Sequence, residues 1–167
     1  MKSSLLACIS LIACLIYQQA KAGTGWSVTI ENQSSEDLLI EFAGNDNWYC
    51  NDFCGPSRIG ASQSKTFYTE EKERTVNNAA IQGINLNGTH IEMYQGGHTH
   101  TGQELAQVQI FKDTRVGVCD EMTEAGISAS HPNAVSISWF NAGGHHSCQG
   151  FFGTVSLTLI YKGKNQQ

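Results

Sequence analysis

Alternation of apolar and polar residues at period two constrains this chain more than any other feature. Val135, Ile137 and Trp139 alternate with Ser136, Ser138 and Phe140, and Val155, Leu157, Leu159 and Tyr161 alternate with Ser156, Thr158 and Ile160. Successive side chains of a strand point to opposite faces, so each run can lay one apolar face on a core. The pair reads as a β-hairpin. Its connection, 141–150, is rich in glycine and carries His145, His146 and Cys148, residue types that no strand needs.

The pattern recurs along the chain. Trp26, Val28 and Ile30 alternate with polar neighbours; turn formers follow, and Leu38, Ile40 and Phe42 resume the alternation. A short strand surrounds Phe67. Ile81 to Leu86, then Asn87-Gly88, then Thr89 to Tyr94 reads as a tight hairpin, because Asn-Gly accepts the positive φ of a type I′ turn. Another strand runs through Leu105, Val108 and Ile110, whereas Lys112 to Ala125 reads as irregular. No long helical stripe and no repeat is visible.

The expectation is an all-β, single-domain antiparallel β-sandwich with disulfide-braced loops. Its inner faces are assigned to Trp26, Val28, Ile30, Leu38, Ile40, Ile91, Met93, Val108, Ile110, Val135, Ile137, Trp139, Val155, Leu157 and Leu159.

The first residues have the layout of a secretory signal, with Lys2, an apolar stretch from Leu5 to Ile16, and Ala20-Lys21-Ala22 as a small-residue cleavage site. The expected organisation is a signal peptide over 1–22 and the β-sandwich domain over 23–167. The expected location is extracellular, or periplasmic in a Gram-negative source. A lipoprotein reading of Leu11-Ile12-Ala13-Cys14 is weaker, since the apolar run continues past the cysteine. Cleavage removes two lysines from a chain of net charge −5. An acidic domain disfavours nucleic acid and anionic membrane as electrostatic partners.

Cys50, Cys54, Cys119 and Cys148 remain in the mature chain, and an even number in an exported domain argues for two disulfides. Three pairings are open. Cys50 with Cys54 and Cys119 with Cys148 is the expected one, because two close cysteines in one turn can meet locally.

Three sites could carry function. The loop from Gly44 to Gly55 sets Trp48, Tyr49 and Phe53 among Asn and Asp residues, and such rings suit a membrane interface or the face of a sugar. Alternatively, Trp48 and Phe53 plug one end of the sandwich. His98, His100, His145 and His146 could hold copper or zinc, since His98 and His100 share a side of an extended segment. Exposed loop histidines are the plainer reading. No Gly-x-Ser-x-Gly elbow or phosphate loop is present, so the expectation is a non-enzyme without a cofactor.

Three stretches together resemble the aegerolysin family and the smaller partners of binary insecticidal toxins. They are Trp26-Ser27-Val28-Thr29-Ile30-Glu31-Asn32, Ser64-Lys65-Thr66-Phe67 before an acidic patch, and Gly153-Thr154-Val155-Ser156-Leu157-Thr158. The resemblance implies a compact antiparallel sandwich that recognises a membrane lipid and acts with a larger pore-forming partner in toxin action or defence. It carries over no binding residue, and the four cysteines and the histidine loops depart from the family outline. A carbohydrate-binding lectin-like module and an extracellular copper- or zinc-binding protein are the alternatives.

Overall fold

The computed structural model describes residues 23–72, 79–97, 99–112, 121–142 and 154–164. The expected signal peptide lies outside these residues. Among the described residues eleven strands are formed: β1 Gly25–Asn32, β2 Leu38–Asp46, β3 Trp48–Tyr49, β4 Ser57–Ile59, β5 Ser64–Glu71, β6 Ala80–Leu86, β7 Thr89–Gln95, β8 Gln103–Lys112, β9 Glu121–Ala129, β10 Val135–Ala142 and β11 Val155–Tyr161. They make a five-stranded sheet in the order β10-β11-β1-β5-β3 and a six-stranded sheet in the order β4-β2-β6-β7-β9-β8. The two sheets face each other across a core, as the alternation requires.

Among the described residues pairing is antiparallel at every junction except one, where β1 lies parallel to β11 with Trp26 opposite Val155 and Ile30 opposite Leu159. The five-stranded sheet is therefore mixed. β1 and β2, consecutive in sequence, go to different sheets. The turn at Asn87-Gly88 has φ of 47° and 77°, as a tight hairpin between β6 and β7 needs.

Trp26, Val28 and Ile30 from β1 meet Leu38 and Ile40 from β2, Ile91 and Met93 from β7, and Val155, Leu157 and Leu159 from β11 in the core. Val108 and Ile137 are partly buried against it. Trp139 is the exception among the residues assigned inward: it is 51% exposed. The register of β10 on β11 shifts between Ile137 and Trp139, so Ser138 is an extra residue without its own partner. One extra residue inverts the alternation that follows. Phe140, opposite Leu157, now turns inward and its ring lies 6.1 Å from that of Trp26, while Trp139, opposite Thr158, faces out.

Part of the segment read as irregular is regular. β9 begins at Glu121, and Ala125, Ile127 and Ala129 are buried while Glu124 is exposed. Its inward side chains are mostly small, which is why the apolar signal is faint.

Candidate functional site

The loop singled out for its aromatic residues is a crossing between the sheets. From β2 in one sheet the chain passes to β3 in the other, then through a short 3-10 turn, Asn51–Phe53, back to β4 beside β2. Asn47 and Asn51 take up φ of 50° and 41°, a left-handed region that asparagine tolerates better than most residues. The Cys50–Cys54 disulfide closes the turn, as expected. Cys119 and Cys148 lie outside the described residues.

A chain that crosses between two sheets carries its large side chains into the space between them. Trp48 is fully buried, edge-on to Trp26 at 5.3 Å, and its indole N–H donates to Thr69 Oγ1 at 2.8 Å. Phe53 is 1% exposed and stacks on Phe67 at 4.9 Å. Neither ring is available to a ligand. This corrects the expectation that all three aromatics insert or stack, and it favours their role as a plug. Tyr49 alone points outward, 49% exposed, with the Lys72 ammonium 5.1 Å from its ring centre.

Tyr49 lies opposite Glu70 on β5, which places it on the outer face of the five-stranded sheet. Tyr68, two residues back on the same face, is 43% exposed and donates its hydroxyl to Glu70 Oε2 at 3.0 Å. Burial and then the neighbouring Glu70 push the Tyr68 phenol up to about 12, so it stays a hydrogen-bond donor at physiological pH. Its ring lies over Gly25, where a Cβ would come within 2.8 Å of the hydroxyl. Across the sheet the same face carries Trp139. Among the described residues, the large hydrophobic side chains left exposed are Phe42, Tyr49, Tyr68 and Trp139, and the last three share this face.

The histidines are placed differently. His90 on β7 bridges Asn85 Oδ1 and Glu92 Oε1, each at 3.1 Å, on the outer face of the six-stranded sheet. Glu92 also accepts hydrogen bonds from the Thr101 N–H and the Thr101 hydroxyl. Burial disfavours the Glu92 carboxylate, but these donors and His90 outweigh it and hold its pKa below the ordinary value. His100 stacks on Tyr94 at 4.5 Å and 9°, and Tyr94 donates to Glu104 Oε2 at 2.6 Å. Burial and then Glu104 raise the Tyr94 phenol well above its usual value. Residues 99–102 thus form a strap over β7, fixed further by Ser128 Oγ donating to the Thr101 carbonyl.

Among the described residues no group of three or more His, Cys, Asp or Glu side chains is arranged to hold a metal. His98, His145 and His146 lie outside the described residues, and His100 is engaged by Tyr94.

No family model matches the chain, and no curated protein matches it. Among solved structures, the crystal structure of IP-1A from Alcaligenes faecalis is similar at 11% identity with a TM-score of 0.42, over 87% of this chain and 96% of that one. Both the sequence pattern and the strand topology describe an all-β sandwich.

Proposed function

We propose that this is a secreted, non-enzymatic binding protein that recognises a membrane lipid through the outer face of its five-stranded sheet, beside a pore-forming partner. The observation that carries the reading is the gathering of Tyr49, Tyr68 and Trp139 on that one face. Amphipathic rings with a polar tip suit the boundary between water and lipid. The aegerolysin-like stretches support the same class of function and the role of a partner. The binding surface differs from the one expected at first, since Trp48 and Phe53 belong to the core and Tyr49 is the member of that loop that remains.

The test is cosedimentation of the oxidised mature protein with vesicles of neutral, anionic and sphingolipid composition at two salt concentrations. Selective binding that survives high salt is expected, because ring contacts are not screened as surface charges are. Tyr49→Ala with Tyr68→Ala should abolish it. Wild-type binding by that double variant would remove this face from the function.

A further inference from the structure

The strand registers define what lies between the exposed rings. Trp139 is opposite Thr158 on β11, Thr158 opposite Thr29 on β1, and Thr29 opposite Thr66 on β5. The next row outward reads Asn141, Ser156, Ser27, Tyr68. These positions are exposed or half-buried, and Thr29 and Thr66 share a hydrogen bond of 2.9 Å between their hydroxyls. Every side chain in both rows is uncharged. The result is a floor of hydroxyls, with an amide at one corner, walled by an indole on β10 and a phenol on β5. Three interstrand spacings, about 14 Å, separate the backbones of β10 and β5, and the Tyr68 ring narrows that gap by leaning over Gly25 of β1.

Charge narrows the occupant. Glu31 continues the floor beyond Thr29 and Glu70 continues it beyond Tyr68, and the two carboxylates bound it at opposite ends. The chain as a whole is acidic, with net charge −5. An anionic head group would be repelled at Glu31 and, among the described residues, find no counter-charge between the two carboxylates, since the Lys72 ammonium lies beyond Glu70 over Tyr49. A cationic one would be drawn to the carboxylates and away from the floor. A neutral, hydroxyl-rich group loses nothing electrostatically, exchanges hydrogen bonds with the threonine and serine hydroxyls, and offers C–H faces to the rings.

The bulge at Ser138 adds an independent observation. Without it Trp139 would face the core; with it, half of an indole is left in water beside Thr158. Bulges recur where a side chain is re-aimed next to a site.

We infer that this face binds the neutral sugar head group of a membrane lipid, with Trp139 and Tyr68 as ring contacts and Thr29, Thr66 and Thr158 as hydrogen-bonding partners. The inference rests on the lipid-binding reading and names the head group that reading leaves open.

The experiment compares vesicles of phosphatidylcholine alone, phosphatidylcholine with phosphatidylserine, and phosphatidylcholine with each of a panel of neutral glycosphingolipids differing in sugar. Binding to at least one glycolipid should exceed binding to phosphatidylcholine at least tenfold. Trp139→Ala should weaken that binding about tenfold while leaving the melting temperature near wild type, because its ring is half exposed. Thr29→Val with Thr158→Val keeps the β-branched shape, removes two hydroxyls, and should weaken it as well. Equal binding to all vesicles, still lost in Tyr49→Ala with Tyr68→Ala, overturns the sugar and leaves lipid recognition standing. Binding to soluble glycans without binding to any vesicle, lost in Trp139→Ala, overturns the lipid carrier. Binding to neither overturns both.

Discussion

The outer faces of the two sheets come from the same alternating pattern and end in opposite states. On the six-stranded sheet, His90, Glu92 and Tyr94 find partners in Asn85, Thr101 and Glu104, and the strap at 99–102 covers Glu92 and Tyr94. On the five-stranded sheet, Tyr68 and Trp139 are exposed and Ser27 and Thr158 half-buried, with no described element packed over them. Polar residues facing outward are thus not one category. Where they satisfy each other under a cover they serve stability; where they stay open beside exposed rings they are free to serve a ligand.

The sharpest way to break this comparison is at two neighbouring residues. Phe140→Ala should cost about 2–4 kcal/mol in denaturant unfolding, because it removes a ring packed on Trp26. Trp139→Ala should cost less than about 1 kcal/mol as a surface substitution. The reverse order would mean that the bulge at Ser138 is absent.

Two glycines give a second pair. A Cβ at Gly126 would fall 2.2 Å from the Tyr94 hydroxyl, and at Gly25 it would fall 2.8 Å from that of Tyr68. Tyr94 is held by Glu104 and His100, so Gly126→Ala should cost about 1–3 kcal/mol through overpacking. Tyr68 is 43% exposed and can swing away, so Gly25→Ala should cost well under half as much by the same unfolding measurement. Equal costs would show that the strap does not restrain Tyr94.

The mildest of the three contrasts is a pH dependence. Glu92 has a lowered pKa in the folded protein, so its contribution is fully present above the ordinary carboxylate value. It is lost as pH falls through the lowered folded-state value. Glu92→Gln should cost about 1 kcal/mol at neutral pH and flatten that part of the stability profile. An unchanged acid limb would exclude Glu92 as the anchor of the strap.

Much of the core was legible because alternation assigns a face without needing to know the neighbour. Trp26, Val28, Ile30, Leu157 and Leu159 are all buried as the pattern requires. The same pattern does not reveal which strand lies next to which, so the parallel pairing of β1 with β11 had no signature. Nor does it place an added residue: Val135 to Trp139 alternates on paper, the apolar Phe140 in the next polar slot is the one irregularity, and Ser138 breaks the face in space. The loop at Trp48 was read from its residue types, but burial follows from the path of the chain between sheets, which composition does not contain. Of the rings now proposed as contacts, Tyr49 was among those singled out by residue type. Tyr68 could have been found, since it stands out of phase with the buried Phe67 and Thr69.

The parallel junction of β1 and β11 also sets an order of assembly. Gly25–Asn32 lies between β5 and Val155–Tyr161, so the interior strand of this sheet acquires its second neighbour only when a segment well over a hundred positions later arrives. Until then one edge of β1 offers unpaired backbone groups and Trp26 lacks part of its covering. The slowest step of folding should be this closure, and a chain halted before β11 should remain open to proteases and chaperones until the sheet shuts.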